Sequence, residues 1–361
     1  MGVKLQSALG GSVELNAPST ASNFTMTVPA GNGTVATTDQ LQNFRNLLIN
    51  GEMRISQRGT SFAAGGNILT LDRWICWGML TTQSTDVPSG SGFVNSIQLV
   101  ATTQTGSSFN TIEQKFEDER IVAGRTLTMS FWIKGSAAGT GVVRNYSQSN
   151  TRGFGHIAFP ITTAWTKISR TFTVPTIGAG TKDWCAFGMD FNVGSTAASD
   201  LGYGGTGVTA PTYVGTLNIT GVQVEYGTVS TEFERRPQGI ELALCQRYYE
   251  KSFAYAATPS NGGSATTFAS VEGLSSGISS NRLNVGPTMF FKVNKRVIPS
   301  VQKYGNSAGD WVYGLQSSLS LVGNANCGTI RISESSFVAD QQAVDATAIF
   351  IVGHWVANAE F

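Results

Sequence analysis

Two histidines, His156 and His354, four scattered cysteines and 23 acidic residues bound the chemistry open to this 361-residue chain. Cys76, Cys185, Cys245 and Cys327 share no CxxC or zinc-ligand spacing, so free, buried, inert thiols are expected. No HExxH, GxSxG or Walker pattern occurs, which leaves no nucleophile constellation. A glycan hydrolase needs two carboxylates about 5–10 Å apart on rigid elements. The one dense acidic cluster, FEDER (Phe116 to Arg120), precedes a clear strand and reads as a solvated loop. Asp183, Asp190 and Glu225 fall in or beside strands, and spacing assigns them no partner. A non-enzymatic protein is expected.

The aromatic residues offer different chemistry. Sugar recognition needs an aromatic platform for C–H faces and a few polar groups aimed at hydroxyls. RTLTMSFWIKGS alternates Leu127, Met129, Phe131 and Ile133 on one face with Trp132 and Lys134 on the other. Trp132 with Lys134 is therefore the leading platform, and Trp165, Trp184, Tyr146 and His156 are further candidates. The competing reading makes Trp132 a cover for an outer face, or an intersubunit contact. Late in the chain, ATPSNGGSAT and YGNSAGDWVYG place Gly, Ser and Asn around Trp311 and Tyr313. Such tips suit either recognition loops or plain surface turns.

These residues need a scaffold, and composition points to an all-β one. Charged residues make up 13% of the chain, against about 25% in an ordinary globular domain. With 24 basic and 23 acidic residues the net charge is +1, which gives no field for nucleic acid or an anionic membrane. No run approaches 18 apolar residues and the start lacks a signal-peptide layout, so no membrane insertion is expected. The first segment alternates at Val13 and Leu15, then at Phe24, Met26 and Val28, as short strands unable to form a core from one copy. TTDQLQNFRNLLIN, with Thr38 as N-cap and Leu41, Phe44, Leu47 and Leu48 at spacing 3–4, predicts a short amphipathic helix. From 46 to 236 the text is all-β, with strands over 125–136, 165–175, 182–193 and 216–226, as in a two-sheet jelly roll. An amphipathic helix is predicted over 239–251, followed by β text to the final residue.

NLLINGEMRISQRGTSF, LDRWICW, LTMSFWIKGSAAGT, AWTKISRTFTVP and GVQVEYGTVSTEFERRP resemble the carbohydrate-binding-module-like jelly roll of tailed-bacteriophage fibre and appendage proteins. IELALCQRYYEKS and HWVANAEF resemble the linker helix and closing strand of their C-terminal β head domain. SVELNAPSTASNFTMTVPAGNGTVATTDQL is similar to their N-terminal attachment segment. The resemblance implies a virion-attachment segment with a short helix over 1–45 and a jelly-roll β-sandwich over 46–236. A linker helix and sandwich-like head would occupy 237–361. It also implies a homotrimeric virion structural protein, assembled in the host bacterial cytoplasm and bound to other virion proteins (capsid, portal, tail or adaptor) through residues 1–38. The jelly roll or the head would bind host-surface glycan. The alternatives are a capsid decoration or head fibre without receptor specificity, and a glycan-degrading tail enzyme.

No cofactor is expected beyond a structural calcium, which staples many such jelly rolls; Glu52 and Glu225 occupy roughly the matching places. Symmetric packing on the trimer axis falls to Leu41, Phe44, Leu48, Ile240, Leu244 and Tyr248. Ile240, Ala243, Leu244 and Tyr248 form one stripe of the linker helix, and Leu242, Cys245 and Tyr249 form another, as if for two partners. Just before it, Glu234 is expected to face Arg235 or Arg236 of a neighbouring subunit, the alternative being a surface turn with solvated charges.

Overall fold

Period-two alternation of apolar and polar residues builds nearly everything in this molecule. The computed structural model describes residues 3–6, 12–15, 44–148, 153–176, 183–261, 288–305, 311–315, 320–325, 327–341 and 349–361. Two compact units result, Met1–Thr37 and Thr38–Phe361. In the first, β1 (Val3–Gln6) pairs antiparallel with β2 (Ser12–Leu15), from Val3 opposite Leu15 to Gln6 opposite Ser12. The partners at these eight residues are intrachain. Phe24, Met26, Val28, Thr38 and Leu41 lie outside the described residues.

The second unit opens with the strands β3 (Ser61–Phe62), β4 (Ile68–Leu69), β5 (Ile75–Trp77), β6 (Leu80–Ser84), β7 (Ser96–Ala101) and β8 (Phe109–Glu117). A turn of helix, α1 (Glu119–Val122), leads to β9 (Thr126–Gly135), β10 (Gly139–Ser147), β11 (Phe154–Ile161), β12 (Thr166–Thr173) and β13 (Trp184–Val193). Helix α2 (Ser195–Asp200) and a 3-10 turn at Tyr203–Gly205 precede β14 (Gly215–Tyr226). These strands form two antiparallel six-stranded sheets, in the orders β12-β9-β14-β7-β6-β3 and β11-β10-β13-β8-β5-β4. This is the expected two-sheet jelly roll. The inward faces meet through Leu127, Met129, Phe131 and Ile133 of β9 and Phe187, Met189 and Phe191 of β13. Phe131 meets Phe159 edge-on at 5.1 Å, and Phe172 lies 6.1 Å from Phe187. Burial of these rings drives the sandwich together.

Residues 44–50 are not helical, so the predicted helix is corrected where it is described. The segment lies along β14 instead. Leu47 N donates to Val224 O (2.9 Å), Val222 N donates to Gly51 O (2.9 Å), and the Asn46 side chain bonds Val222 O and Val224 N. Leu48 is fully buried in the jelly-roll core. It fills its own subunit and cannot pack on a symmetry axis, while Phe44 remains exposed.

The charged cluster before the linker helix explains this course. Glu234 accepts from Phe44 N and Asn46 N, both at 2.8 Å. Arg236 donates to Asn46 O and Leu48 O and pairs with Glu234 (3.1 Å) and Glu241 (3.4 Å). Arg235 reaches Ser91 O and covers the Phe93 ring at 4.8 Å. The expected contact with a neighbouring subunit is therefore replaced by an intrachain clasp.

Helix α3 (Gln238–Gln246) begins after Pro237 and stops short of its predicted end. Tyr249–Lys251 forms β15 and pairs with the late strand β23 (His354–Asn358), because the sheet supplies backbone partners that another helical turn would forgo. Between them run β16 (Thr288–Phe290), β17 (Ser300–Tyr304), β18 (Trp311–Leu315), β19 (Ser320–Ala325), β20 (Cys327–Ile330), β21 (Ser336–Gln341) and β22 (Ile349–Val352). They make three-stranded sheets in the orders β15-β23-β17, β16-β21-β20 and β19-β18-β22. Phe291, Phe337 and Trp355 pack their rings 5.4–5.8 Å apart as a small core. Tyr248 is buried beneath Arg73, whose guanidinium carbon lies 3.4 Å from the ring centroid, so it too is withdrawn from the axis set. Ile240 stays exposed and Leu244 half-buried.

Candidate ligand-binding face

The candidate residues separate onto two outer faces of the jelly roll. On the first sheet, Trp132 and Lys134 do point away from the core, opposite Thr220 and Asn218 of β14. Their polar partners are already engaged. Lys134 pairs with Asp86, Trp165 Nε1 donates to the same carboxylate (3.2 Å), and the ammonium lies 5.5 Å from the Trp165 ring centroid. Two loops lie over this sheet: Thr220 Oγ1 donates to Asn95 O and Lys167 Nζ to Thr231 O.

The second sheet's outer face gathers the rest. Strand β8 puts Thr111, Glu113, Lys115 and Glu117 outward, and β13 answers with Asp190, Gly188, Ala186 and Trp184 in register. Strand β10 adds Arg144 opposite Gly188 and Tyr146 opposite Ala186, while β5 adds Trp77 opposite Thr111. Side chains alternate across a strand, so these positions share one face. Gly188 and Ala186 leave the floor shallow. Around it stand Trp77, Tyr146 and Trp184, each half-buried. Tyr146 meets Trp184 edge-on at 5.4 Å, and Trp77 leans on Phe109 at 5.2 Å.

Under the rings lies a buried polar network. Arg144 Nε and Nη2 bind Asp190 at 2.6 and 3.2 Å. Thr111 Oγ1 (2.5 Å) and Tyr203 OH (2.7 Å) complete the coordination of that carboxylate. Glu113 Oε1 accepts from Tyr146 OH (2.5 Å) and from Trp77 Nε1 (3.3 Å), so one oxygen orients two rings. Burial raises the Glu113 pKa against the opposing pull of Tyr146 and Arg144, and burial raises both tyrosines, Tyr146 and Tyr203, far above the ordinary phenol. His156 sits edge-on to Tyr203 at 4.8 Å with Nε2 against Leu201 O (3.1 Å), and burial lowers its pKa, favouring the neutral ring. Residues Ala197, Leu201 and Tyr203 pack over Val142 and Val193, closing this end of the face.

At the opposite end the face meets the C-terminal elements. Arg247 grips Glu117 with two bonds of 2.9 Å, and Arg73 pairs with Glu360. Lys115 lies between, its ammonium 4.5 Å from the Trp184 ring centroid. Tyr146, Trp184 and His156 thus share one site, and Trp132 with Trp165 form a separate cluster. Trp311 and Tyr313 belong to β18, whose side chains lie outside the described set.

Sequence reasoning passed over Trp77, Glu113, Lys115, Arg144 and Tyr203. A signal existed for two of them: every second residue of β8 from Thr111 to Glu117 is polar. The solvated-loop reading of FEDER is also corrected. Glu119 is buried and accepts from Ser147 Oγ (2.7 Å), and Asp118 caps α1 through Arg120 N. Burial raises the thiols of Cys76, to about 11, Cys185 and Cys245; all three are free and buried, as expected of inert cysteines.

The calcium candidates fit a cation poorly. Both Glu225 oxygens accept from Thr231, and Oε1 also takes Gln223. Glu52 lines a water-sized hollow of about 20 Å³ that it shares with Arg54 and Arg236. Among the described residues no three His, Cys, Asp or Glu side chains gather as metal ligands.

No family model matches this chain, and no curated protein matches it. Among solved structures, the enzymatically active domain of tailspike protein 4 from bacteriophage CBA120 is similar at 16% identity and a TM-score of 0.32. That match covers 51% of this chain and 22% of the tailspike chain. A family 4 carbohydrate-binding module matches at 16% identity over 49% of this chain and 98% of its own, with a TM-score of 0.31. The first family 22 xylan-binding domain of a Paenibacillus barcinonensis protein matches at 11% identity, covering 51% and 96%, with a TM-score of 0.31.

Proposed function

We propose that this protein is a structural appendage of a bacteriophage particle, a homotrimeric fibre that binds host-surface glycan through the second-sheet face. The observation that carries the binding role is the set of half-buried rings, Trp77, Tyr146 and Trp184, around a floor kept shallow by Gly188 and Ala186. Flat aromatic faces accept the C–H side of a sugar ring, and fixed polar groups between them select orientation. Glu113 and Arg144 hold the rings before any ligand arrives, which limits the ordering cost of binding.

Hydrolysis is the weaker use of this face. A glycosidase needs two carboxylates open to substrate. Asp190 is fully buried and bonded by Arg144, Thr111 and Tyr203. Binding of this kind needs no cofactor. The virion role rests on the sequence resemblance, with attachment through residues 1–38. Trimer formation draws support from an apolar hollow of about 310 Å³ on α3, lined by Gly239, Ile240, Ala243, Leu244, Arg247 and Val293.

The test is an array of bacterial surface oligosaccharides probed with the full chain and with Trp184→Ala and Tyr146→Ala. Specific capture, weakened about tenfold or more by either substitution, supports the reading; one aromatic–sugar stack is of that order. Failure to capture any glycan would leave a passive decoration, and release of new reducing ends would make it an enzyme.

A further inference from the structure

Resting on the glycan-binding reading above, we infer that the ligand of this face is an acidic glycan, whose carboxylate or phosphate is received by Lys115 beside Trp184. Charge is unevenly matched at the C-terminal end of the face. Four cations converge there: Lys115, Arg73, Arg247 and Arg296. Arg247 is matched by Glu117 with two bonds, and Arg73 by Glu360. Arg296 spends its donors on the carbonyls of Ala359 and Glu360, covers the Phe361 ring at 3.8 Å and makes no ion pair with a carboxylate among the described residues. The Lys115 ammonium lies 4.5 Å from the Trp184 ring centroid and makes no ion pair among the described residues. The buried Glu113 two residues earlier attracts it but gives its bonded oxygen to Tyr146 and Trp77.

Lys115 is half-buried, so its charge is only partly hydrated. Burial lowers its pKa first; Arg296 and Arg73 lower it further, against the pull of Glu113 and Glu360. The surroundings therefore hold more positive charge than they match. A sugar ring docking against Trp184 displaces the ammonium from the indole face, and an acidic substituent on that ring supplies the missing partner. A neutral sugar would leave the ammonium without either. Ion pairing of a partly desolvated ammonium favours the acidic ligand more than a fully exposed lysine could.

The experiment prints acidic bacterial capsular oligosaccharides beside their carboxyl-reduced, neutral forms. It probes both with the full-length protein, with Lys115→Gln, Lys115→Arg and Trp184→Ala. The expected result is capture of the acidic forms about tenfold or more above the reduced forms, the size of one charge-assisted bond. That preference should vanish in Lys115→Gln, persist in Lys115→Arg and fall with added salt. Equal capture of acidic and reduced forms, or an unchanged preference in Lys115→Gln, overturns the inference while Trp184-dependent binding leaves the glycan-binding reading standing. Absence of capture by every form overturns both. Circular dichroism of each variant separates loss of binding from loss of fold.

Discussion

At the scale of single residues, Glu113 decides the most. One of its oxygens accepts from both Tyr146 and Trp77, and it does so inside the protein. Burial raises its pKa, so the folded chain takes up this proton more readily than the unfolded chain. The sign follows: stability from this group grows as pH falls through the folded pKa and is lost as pH rises through it. Wild-type stability minus that of Glu113→Gln should therefore increase as pH falls from the raised folded pKa toward the ordinary carboxylate range, by at most about 1.4 kcal/mol per pH unit. Urea unfolding of both proteins across that range measures the difference, and a flat difference contradicts the assignment. Tyr203→Phe tests the neighbouring carboxylate. It removes the hydroxyl 2.7 Å from Asp190 and should cost about 1–3 kcal/mol, since Asp190 is fully buried.

Among the elements, the 44–51 segment depends on two residues far apart in sequence. Arg236 is half-buried between Glu234, Glu241 and the carbonyls of Asn46 and Leu48. Arg236→Ala removes four bonds at once while Glu234 and Glu241 keep their backbone N–H donors, and should destabilise the fold by about 1–3 kcal/mol. Limited proteolysis should then cut first within residues 44–50. Gly51 makes the other contribution by its missing side chain. A Cβ there would stand 2.1 Å from Val222 O, a backbone atom that cannot swing aside. Gly51→Ala should force the segment off β14 and cost about 1–3 kcal/mol, as overpacking does. Thermal denaturation reads both effects, and a neutral Gly51→Ala would show that the segment approaches β14 less closely.

For the whole molecule, the junction between the jelly roll and the C-terminal sheets sets cooperativity. Gln57 bonds Tyr249 O (2.9 Å), Arg58 covers the Tyr249 ring at 3.8 Å, and Arg73 and Arg247 reach Glu360 and Glu117. Calorimetry of residues 38–361 should show one unfolding transition; two resolved transitions would mean that the halves melt independently. Assembly is tested on α3. Ile240→Asp places a charge in the apolar hollow that trimer formation would bury, so native mass should shift from trimer toward monomer without loss of secondary structure. A wild-type monomer at micromolar concentration would refute the trimer outright.

Strand alternation was legible in the amino-acid sequence because each strand meets water or a loop on one side and the core on the other. Phe131 and Ile133 against Trp132 and Lys134, or Phe187 and Met189 against Gly188 and Asp190, carry their facing in their order. Low charge and abundant glycine likewise announced an all-β chain. The helix expected at Leu41–Leu48 was not so determined, because a spacing of three to four residues is also satisfied where Leu48 enters one core and Phe44 faces outward. Its course was decided by Glu234 and Arg236, about 190 residues away. The candidate face was decided the same way. Trp77, Glu113, Tyr146 and Trp184 come from four strands, and only the sheet order β10-β13-β8-β5 sets them side by side. A sequence records which face a strand presents; which strands become neighbours depends on the packing of the entire sandwich.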